Sequence, residues 1–396
     1  MKIAVNSTRI IVGLLFIFSG LVKANDPLGL SYKMQEFFEL WGMAQFNSWT
    51  LALSLAMIAF EIIAGAALLL GWQMKLFSWL LLALIIFFTF LTGYAYLSGK
   101  FKNCGCFGDC IPITAQTSFL KDIVLTLMIL FLFRHRDKIR PMMSGRATLL
   151  TMGLVTLFSF GIQWYSLTYL PLFDCLPYKK GNNIPEQMKM PANAIPDSTV
   201  ITFVYEKDGK QVEFTADQFP ADFNDSYKFV NRYDKIIRKG KNNEPPIKGF
   251  SLVGAGGQDS TQSILSHPYT ILAFFENFST PVSKWQKDFS SIYSQATSKN
   301  IPVYLVTGNK NVAEEALGGT SFQNIPVLTL DFTAIRTAAR TSPCYYLLQK
   351  GTIQGKWSYK NSADLLEMVE KLSVQPVEAP ANNQVLPVDS SSTPGQ

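Results

Sequence analysis

Charge is scarce in this chain, and histidine scarcer still. Asp, Glu, Lys and Arg make up 16% of the 396 residues, against about 25% in an ordinary soluble domain. Nearly all of that deficit lies before Pro171, so one half of the chain is built for lipid. Two histidines, His135 and His267, are too few and too far apart for a His-based metal site. A basic face interleaved with aromatics is also missing, although the formal charge is +6 and the pI near 8.9. Arg134, Arg136, Lys138, Arg140 and Arg146 instead crowd into one short segment between apolar runs. That placement argues against a nucleic-acid partner and matches the cytoplasmic loops of membrane proteins.

Long apolar runs are what the sequence has in place of charge. A helix needs about 20 mostly apolar residues to cross the hydrocarbon core, because every backbone amide must be paired internally there. Five segments qualify: residues 3–22, 51–70, 76–97, 119–133 and 148–170. Trp49, Trp72, Trp79, Trp164 and Tyr169 lie at or near their ends, as interfacial aromatics do. If the basic loop after the fourth span is cytoplasmic, the amino terminus is inside, and the loop from Cys104 to Cys110 and everything after Leu170 are outside. A cleaved signal peptide is the alternative for the first run, with Val22-Lys23-Ala24 as the cut, and it preserves the same topology. Gln35-Glu36-Phe37-Phe38-Glu39-Leu40-Trp41 has an apolar face at helical spacing and is expected to lie along the interface.

Cysteines are few, five in all, but three of them fall within seven residues in Asn103-Cys104-Gly105-Cys106-Phe107-Gly108-Asp109-Cys110. Gly105 and Gly108 permit left-handed turns that draw sulfurs together. Cys175 follows the fifth span and falls on the same side by this topology. Static disulfides, thiol–disulfide exchange and a four-cysteine metal site all remain open, the last with poor spacing for zinc. Glu61 is the second anomaly, since an ionisable group in mid-span is a functional-site hypothesis by default. Against it stands a glutamate that is protonated or arginine-paired and only locks helix packing. Transport through Glu61 is a third function class. Arg9, near a span end, is expected to snorkel to the interface.

The membrane half resembles the DoxX/MauE group of small four-helix membrane proteins. The matching residues are Arg9-Ile10, Gly13, Phe16, Ser19-Gly20 and Lys23 in the first span, Glu61, Gly65 and Gly71 around the second, and the Cys-Gly-Cys-Phe-Gly run. The resemblance implies methylamine utilisation, maturation of a periplasmic amine dehydrogenase through disulfide formation, and a place in the bacterial cytoplasmic membrane. It implies a redox role for Cys104 and Cys106, with Cys110 and Cys175 as resolving or structural thiols. The four-helix layout is similar to quinone-linked disulfide-generating enzymes, which makes a quinone the candidate cofactor and Glu61 its candidate contact. A fifth span and a large following domain depart from the short MauE pattern.

Beyond Pro171 the patterning is soluble. Residues 178–196 read as an extended linker, and 200–205 with 211–214 as a β-hairpin around Asp208-Gly209. From 247 to 372, strands at 269–275, 302–307, 344–349 and 353–357 alternate with helices at 282–297, 311–317 and 362–372, which argues for an α/β layer. This stretch resembles the thioredoxin superfamily in its TlpA-like form. Ser279-Thr280-Pro281-Val282 stands where that family carries Cys-x-x-Cys, and Thr341-Ser342-Pro343 where it places a cis-proline. With Ser279 and Val282 in place of both cysteines, the resemblance implies no dithiol chemistry at the usual centre. Ser279, Pro281, Ser342 and Pro343 then mark a degenerate groove that binds a partner. Cys344 reads as a small buried hydrophobe.

The expected fold class is thus an α-helical membrane bundle of four helices plus a fifth span, followed by an α/β thioredoxin-like domain. The boundaries fall at 1–140, 141–175, 176–246 (linker and hairpin), 247–375 and a disordered tail at 376–396. Two functions compete. One is redox or maturation of an extracytoplasmic client through the Cys104–Cys110 loop. The other is a non-enzymatic membrane-anchored binding or assembly module.

Overall fold

The computed structural model describes residues 1–101, 105, 107–238, 240 and 242–373. Six long helices open the chain: α1 (Lys2–Asn25), α2 (Pro27–Leu40), α3 (Thr50–Leu70), α4 (Met74–Ser98), α5 (Ala115–Arg134) and α6 (Gly145–Tyr169). All but α2 are long and apolar enough to cross a membrane, and these five are the expected spans. The amphipathic segment between the first two spans is α2. Its start is set by Asp26, whose side chain accepts from the Gly29 amide, and by Pro27 in the first turn.

Small residues let α1 lie against α3. A Cβ on Gly65 would stand 2.8 Å from the Gly13 carbonyl oxygen and 3.0 Å from the Ile17 amide nitrogen. One on Gly20 would meet Ile62 Cγ1 at 2.6 Å. Close approach of this kind replaces the hydrophobic driving force that lipid does not supply. At the far end, the Met142 amide donates to the Leu70 carbonyl and Arg9 Nη1 to the Arg140 carbonyl, so the basic loop closes over α1 and α3. Arg9 is buried there against backbone.

After α6 the chain differs from the expected linker. Tyr178 and Ile184, the latter opening the one-turn α7 (Ile184–Gln187), are buried in the core of the following domain. The Gly181 amide donates to the Ile353 carbonyl and the Ile184 amide to Gly351. Apolar side chains at these two positions outweigh the Gly, Asn and Pro that surround them. The predicted hairpin forms as β1 (Ser198–Lys207) and β2 (Lys210–Thr215), paired antiparallel. An unforeseen strand, β3 (Lys228–Arg238), pairs with β1 on its other side.

The last domain contains α8 (Thr261–Ser266), β4 (Thr270–Phe275), α9 (Gln286–Ser298), β5 (Val303–Thr307), α10 (Lys310–Leu317), β6 (Val327–Thr329), α11 (Phe332–Ala338), β7 (Cys344–Gln349), β8 (Thr352–Ser358) and α12 (Ala363–Lys371). Its sheet order is β6-β5-β4-β7-β8, with β4, β5 and β6 parallel and β7 and β8 antiparallel. Side chains alternate across β4. Ile271, Ala273 and Phe275 meet α9 and α12 on one face, while Leu272 and Phe274 meet α8, α11, Tyr178 and Ile184 on the other. Single bridges cap both outer strands, Asn183 on Thr352 of β8 and Val253 on Thr329 of β6. The Ser342-Pro343 bond entering β7 is cis. The arrangement is thioredoxin-like. Residues 376–396, expected to be disordered, lie outside the described residues.

Gly65→Val is expected to force α1 and α3 apart and to cost about 1–3 kcal/mol, read as a lower thermal midpoint in detergent. Gly153→Ala, whose Cβ would meet nothing within 4 Å, should leave that midpoint unchanged.

Candidate functional site

Glu61 points from α3 at Lys23 of α1, with Lys23 Nζ 2.6 Å from Glu61 Oε1 and side chains 4% and 1% exposed. Ser19 Oγ donates to Glu61 Oε2 at 3.0 Å, and Lys23 Nζ donates to Ser19 Oγ at 3.0 Å. Residues 19 and 23 lie one helical turn apart and so share a face. Gly20 between them opens the space Glu61 needs, since its absent Cβ would stand 3.3 Å from Glu61 Cβ. The cation beside Glu61 is therefore Lys23, rather than the arginine named in the packing-only alternative. α1 runs unbroken through the Val22-Lys23-Ala24 site that a signal cleavage would use.

A second buried carboxylate escaped the sequence reading. Asp122 of α5 is 1% exposed, pairs with Lys121 and accepts from Thr92 Oγ1 of α4 at 3.0 Å. Adjacent Lys121-Asp122 near a span start looks like an ordinary polar flank, and only the packing of α4 on α5 buries it. Both ion pairs border one cavity of about 230 Å³ between α1, α2, α3, α4 and α5, walled mainly by Phe, Leu, Met and Trp. Gly105 and Phe107 of the cysteine loop also border it.

Cys104 and Cys106 lie outside the described residues. Gly105 and Gly108 take positive φ, +69° and +57°, as the loop requires. Cys110 and Cys175 form a disulfide across 65 residues. Asn25, at the end of α1, prepares it: Asn25 Nδ2 donates to the Phe173 carbonyl at 2.8 Å, and the Phe173 amide donates to Asn25 Oδ1 at 2.9 Å. The chain leaving α6 is thereby brought over the cysteine loop.

The thioredoxin-like domain docks at this same end of the bundle. Arg340, two residues before Ser342, donates from Nε to both carboxylate oxygens of Asp26, and its Nη2 reaches Asp109 Oδ2 at 3.2 Å. Tyr32 Oη donates to Glu276 Oε2 at 2.7 Å, and Arg336 Nε donates to Glu276 Oε1 at 3.1 Å. The Arg336 guanidinium lies 4.6 Å from the Tyr32 ring centroid. Burial and the Glu276 carboxylate push the Tyr32 phenol far above its usual range, so it stays a donor. Burial opposes the charge on Arg340, but Asp26, Tyr32 and Asp109 together drive it above the ordinary arginine range. None of these contacts was legible in advance, because Arg340 and Asp26 stand 314 residues apart. Lys356 adds a pair to Asp174 at 2.6 Å.

The degenerate groove is pinned within itself. Ser342 Oγ donates to the Asn277 carbonyl, and the Asn277 amide donates back to Ser342 Oγ at 3.3 Å. Ser279 Oγ donates to Asn277 Oδ1 at 2.5 Å. Ser279 and Pro281 are exposed, whereas Pro343 is buried. Cys344 is buried, and burial pushes its thiol up to about 11, which removes it from thiolate chemistry. Between the domains runs a polar cleft bordered by Tyr32, Asp109, Arg336 and Arg340, and the exposed Cys175 opens onto it.

Fold and junction together define a multi-pass membrane protein carrying a thioredoxin-like domain that lacks the cysteine pair. The membrane half is MauE-like: residues 1–134 match the family described as Methylamine utilisation protein MauE. Residues 192–239 match a family described as a domain of unknown function (DUF8463). Among solved structures, similar chains include a peroxiredoxin Q of Xanthomonas campestris, 14% identical, covering 30% of this chain and 89% of its own at a TM-score of 0.24. Yeast Sco1 is 18% identical, covering 31% and 94% at 0.25. A conserved protein of unknown function from Bacteroides fragilis is 23% identical, covering 30% and 96% at 0.25. No curated protein matches the chain.

Lys23→Met strands the Glu61 carboxylate without its cation and should cost about 3–5 kcal/mol, measured by thermal unfolding in detergent. Adding Glu61→Gln should recover much of the loss. Arg340→Glu turns two attractions into repulsions and is expected to speed hydrogen exchange in 26–32 and 336–343 while leaving β4 protected.

Proposed function

We propose that this chain exchanges disulfides with extracytoplasmic clients, using the cysteines of the 104–110 loop together with Cys175, in support of client maturation. The observation that carries the reading is the Cys110–Cys175 disulfide at the edge of the interdomain cleft. A client thiolate attacking one of its sulfurs forms a mixed disulfide and releases the other cysteine as a thiolate. A second client thiol then resolves the mixed disulfide, so the client leaves oxidised and Cys110 and Cys175 are left reduced. Cys104 and Cys106 are the pair proposed to accept those two electrons by the same exchange. The MauE match supports this, as does the direction of the spans: Cys110 and Cys175 lie at the opposite end from Arg134, Arg136, Lys138, Arg140 and Arg146. By the positive-inside rule that end is the non-cytoplasmic one, in an inner membrane with an oxidising exterior. The thioredoxin-like domain contributes docking rather than electrons, because Ser279 and Val282 occupy its redox positions.

The rival reading, a membrane-anchored binding and assembly module, draws on the same disulfide as a static staple. It is favoured by the way Asn25 and Arg340 already hold the domain in place. Thiol trapping separates the two. With Cys104→Ala or Cys106→Ala, Cys110 and Cys175 should accumulate as free thiols after exposure to a reduced dithiol client, and a client left with a single cysteine, which cannot resolve, should stay linked to the chain as a mixed disulfide on non-reducing gels. Absence of any mixed disulfide, with Cys110–Cys175 resisting mild reductant, leaves the assembly module as the function.

A further inference from the structure

We infer that two copies of this chain pair through β3, antiparallel about Tyr233, and so join their three-stranded sheets into one six-stranded sheet. The pairing goes beyond the disulfide exchange proposed above and does not depend on it.

The strand order β2-β1-β3 leaves β3 at an edge. It is 11 residues long, whereas β2 at the other edge has 6. Edges of monomeric proteins are commonly kept short or covered, because a row of unpaired amides and carbonyls is a template for another strand. Among the described residues, no bridge or backbone hydrogen bond from any segment but β1 reaches Lys228–Arg238. The sheet itself is held by other contacts. Tyr205 of β1 gathers the rings of Phe219, Phe223 and Tyr227 from the segment after β2. On the opposite face Tyr233 Oη reaches across β1 and donates to Glu213 Oε2 of β2 at 2.6 Å. The outer edge of β3 stays bare. Phe229, Val230, Ile236 and Ile237 are exposed along it, and apolar side chains clustered in this way mark an interaction site.

The charge pattern of the strand selects a second copy as the occupant. Arg232 and Asp234 are two residues apart and so share a face; they lie 4.0 Å apart, each more than half exposed. With two β3 strands antiparallel and Tyr233 opposite itself, Arg232 opposes Asp234 of the second copy, and the pair repeats on the other side of the axis. Moving the axis by one residue, to Arg232 or to Asp234, sets that charge against its own counterpart. Opposite charges stabilise a cross-strand pair and like charges destabilise it, so only the Tyr233 register matches the strand to itself. The same register sets Val230 against Ile236 and Phe229 against Ile237, once at each end.

The contact is also self-limiting. Val230 and Ile237 have no partner on β1 and mark bulges in β3, which confine regular pairing to the residues between them. Because the same patch is used by both chains, it closes as a dimer and leaves no β3 edge for a third.

The test uses the full chain in dodecylmaltoside, with mass followed by sedimentation velocity over a concentration series. A wild-type dimer is expected. Arg232→Asp alone and Asp234→Arg alone each set like charges against each other on both sides of the axis, and each should weaken dimerisation by about tenfold or more. Mixed in equal amounts, the two variants are complementary at both positions and should associate as a heterodimer with the strength of the wild type. A substitution acting only within its own chain gives no such recovery. If either single variant fails to fold, the doubly swapped Arg232→Asp/Asp234→Arg chain decides, since it restores both pairs and should dimerise as the wild type does. A wild-type chain that stays monomeric overturns the inference and leaves the edge to an extended segment of a different protein. Single variants that dimerise as the wild type does, a mixture that stays monomeric, or a doubly swapped chain that stays monomeric each overturn it as well.

Discussion

A lysine and a glutamate shut away from water inside a helix bundle must answer each other, and that demand sets how α1 lies on α3. The Lys23–Glu61 contact at 2.6 Å exists only because Gly20 lets the two helices approach, and because Ser19, one turn back, satisfies the second carboxylate oxygen. Removing one partner leaves a buried charge unmatched, so the pair fixes register more strongly than the apolar contacts around it, which lipid could replace. The cavity inherits its shape from this register. So does the position of Asn25, six residues beyond Ser19, which gathers the end of α6 over the cysteine loop.

From Asn25 outward the constraints are polar and partly covalent. The Asn25 bonds to Phe173 bring Cys175 to Cys110, and Arg340 grips Asp26 and Asp109 on either side. The thioredoxin-like domain thus presents to the membrane the very edge that carries its cis-proline. That edge is a docking surface for its own chain, through Arg340 on Asp26 and Asp109 and Glu276 on Tyr32.

The five spans, the α2 segment, the β1–β2 hairpin and most of the α/β alternation were legible in the sequence, because each is written in periodicity over a run of neighbouring residues. Glu61 announced itself by being alone in an apolar run. Asp122 did not, since Lys121 beside it made the pair look like a solvated flank. Tyr178 and Ile184 were lost among Gly, Asn and Pro, which read as linker, although two apolar side chains suffice to bind that segment to a core. β3 was missed because Lys228, Arg232 and Arg238 interrupt its apolar residues. The Arg340 clamp was beyond any local signal: its two carboxylates lie at the end of the first span and in the cysteine loop, and only the finished fold brings them together.

One consequence follows from the bridges at the margins of the five-stranded sheet. Asn183 bridges Thr352 at the start of β8 and Val253 bridges Thr329 at the end of β6, so each outer strand is already engaged at one end by a segment of the same chain. Recognition by strand addition, a common way for sheets to seize an extended peptide, would have to fit beside or displace these bridges.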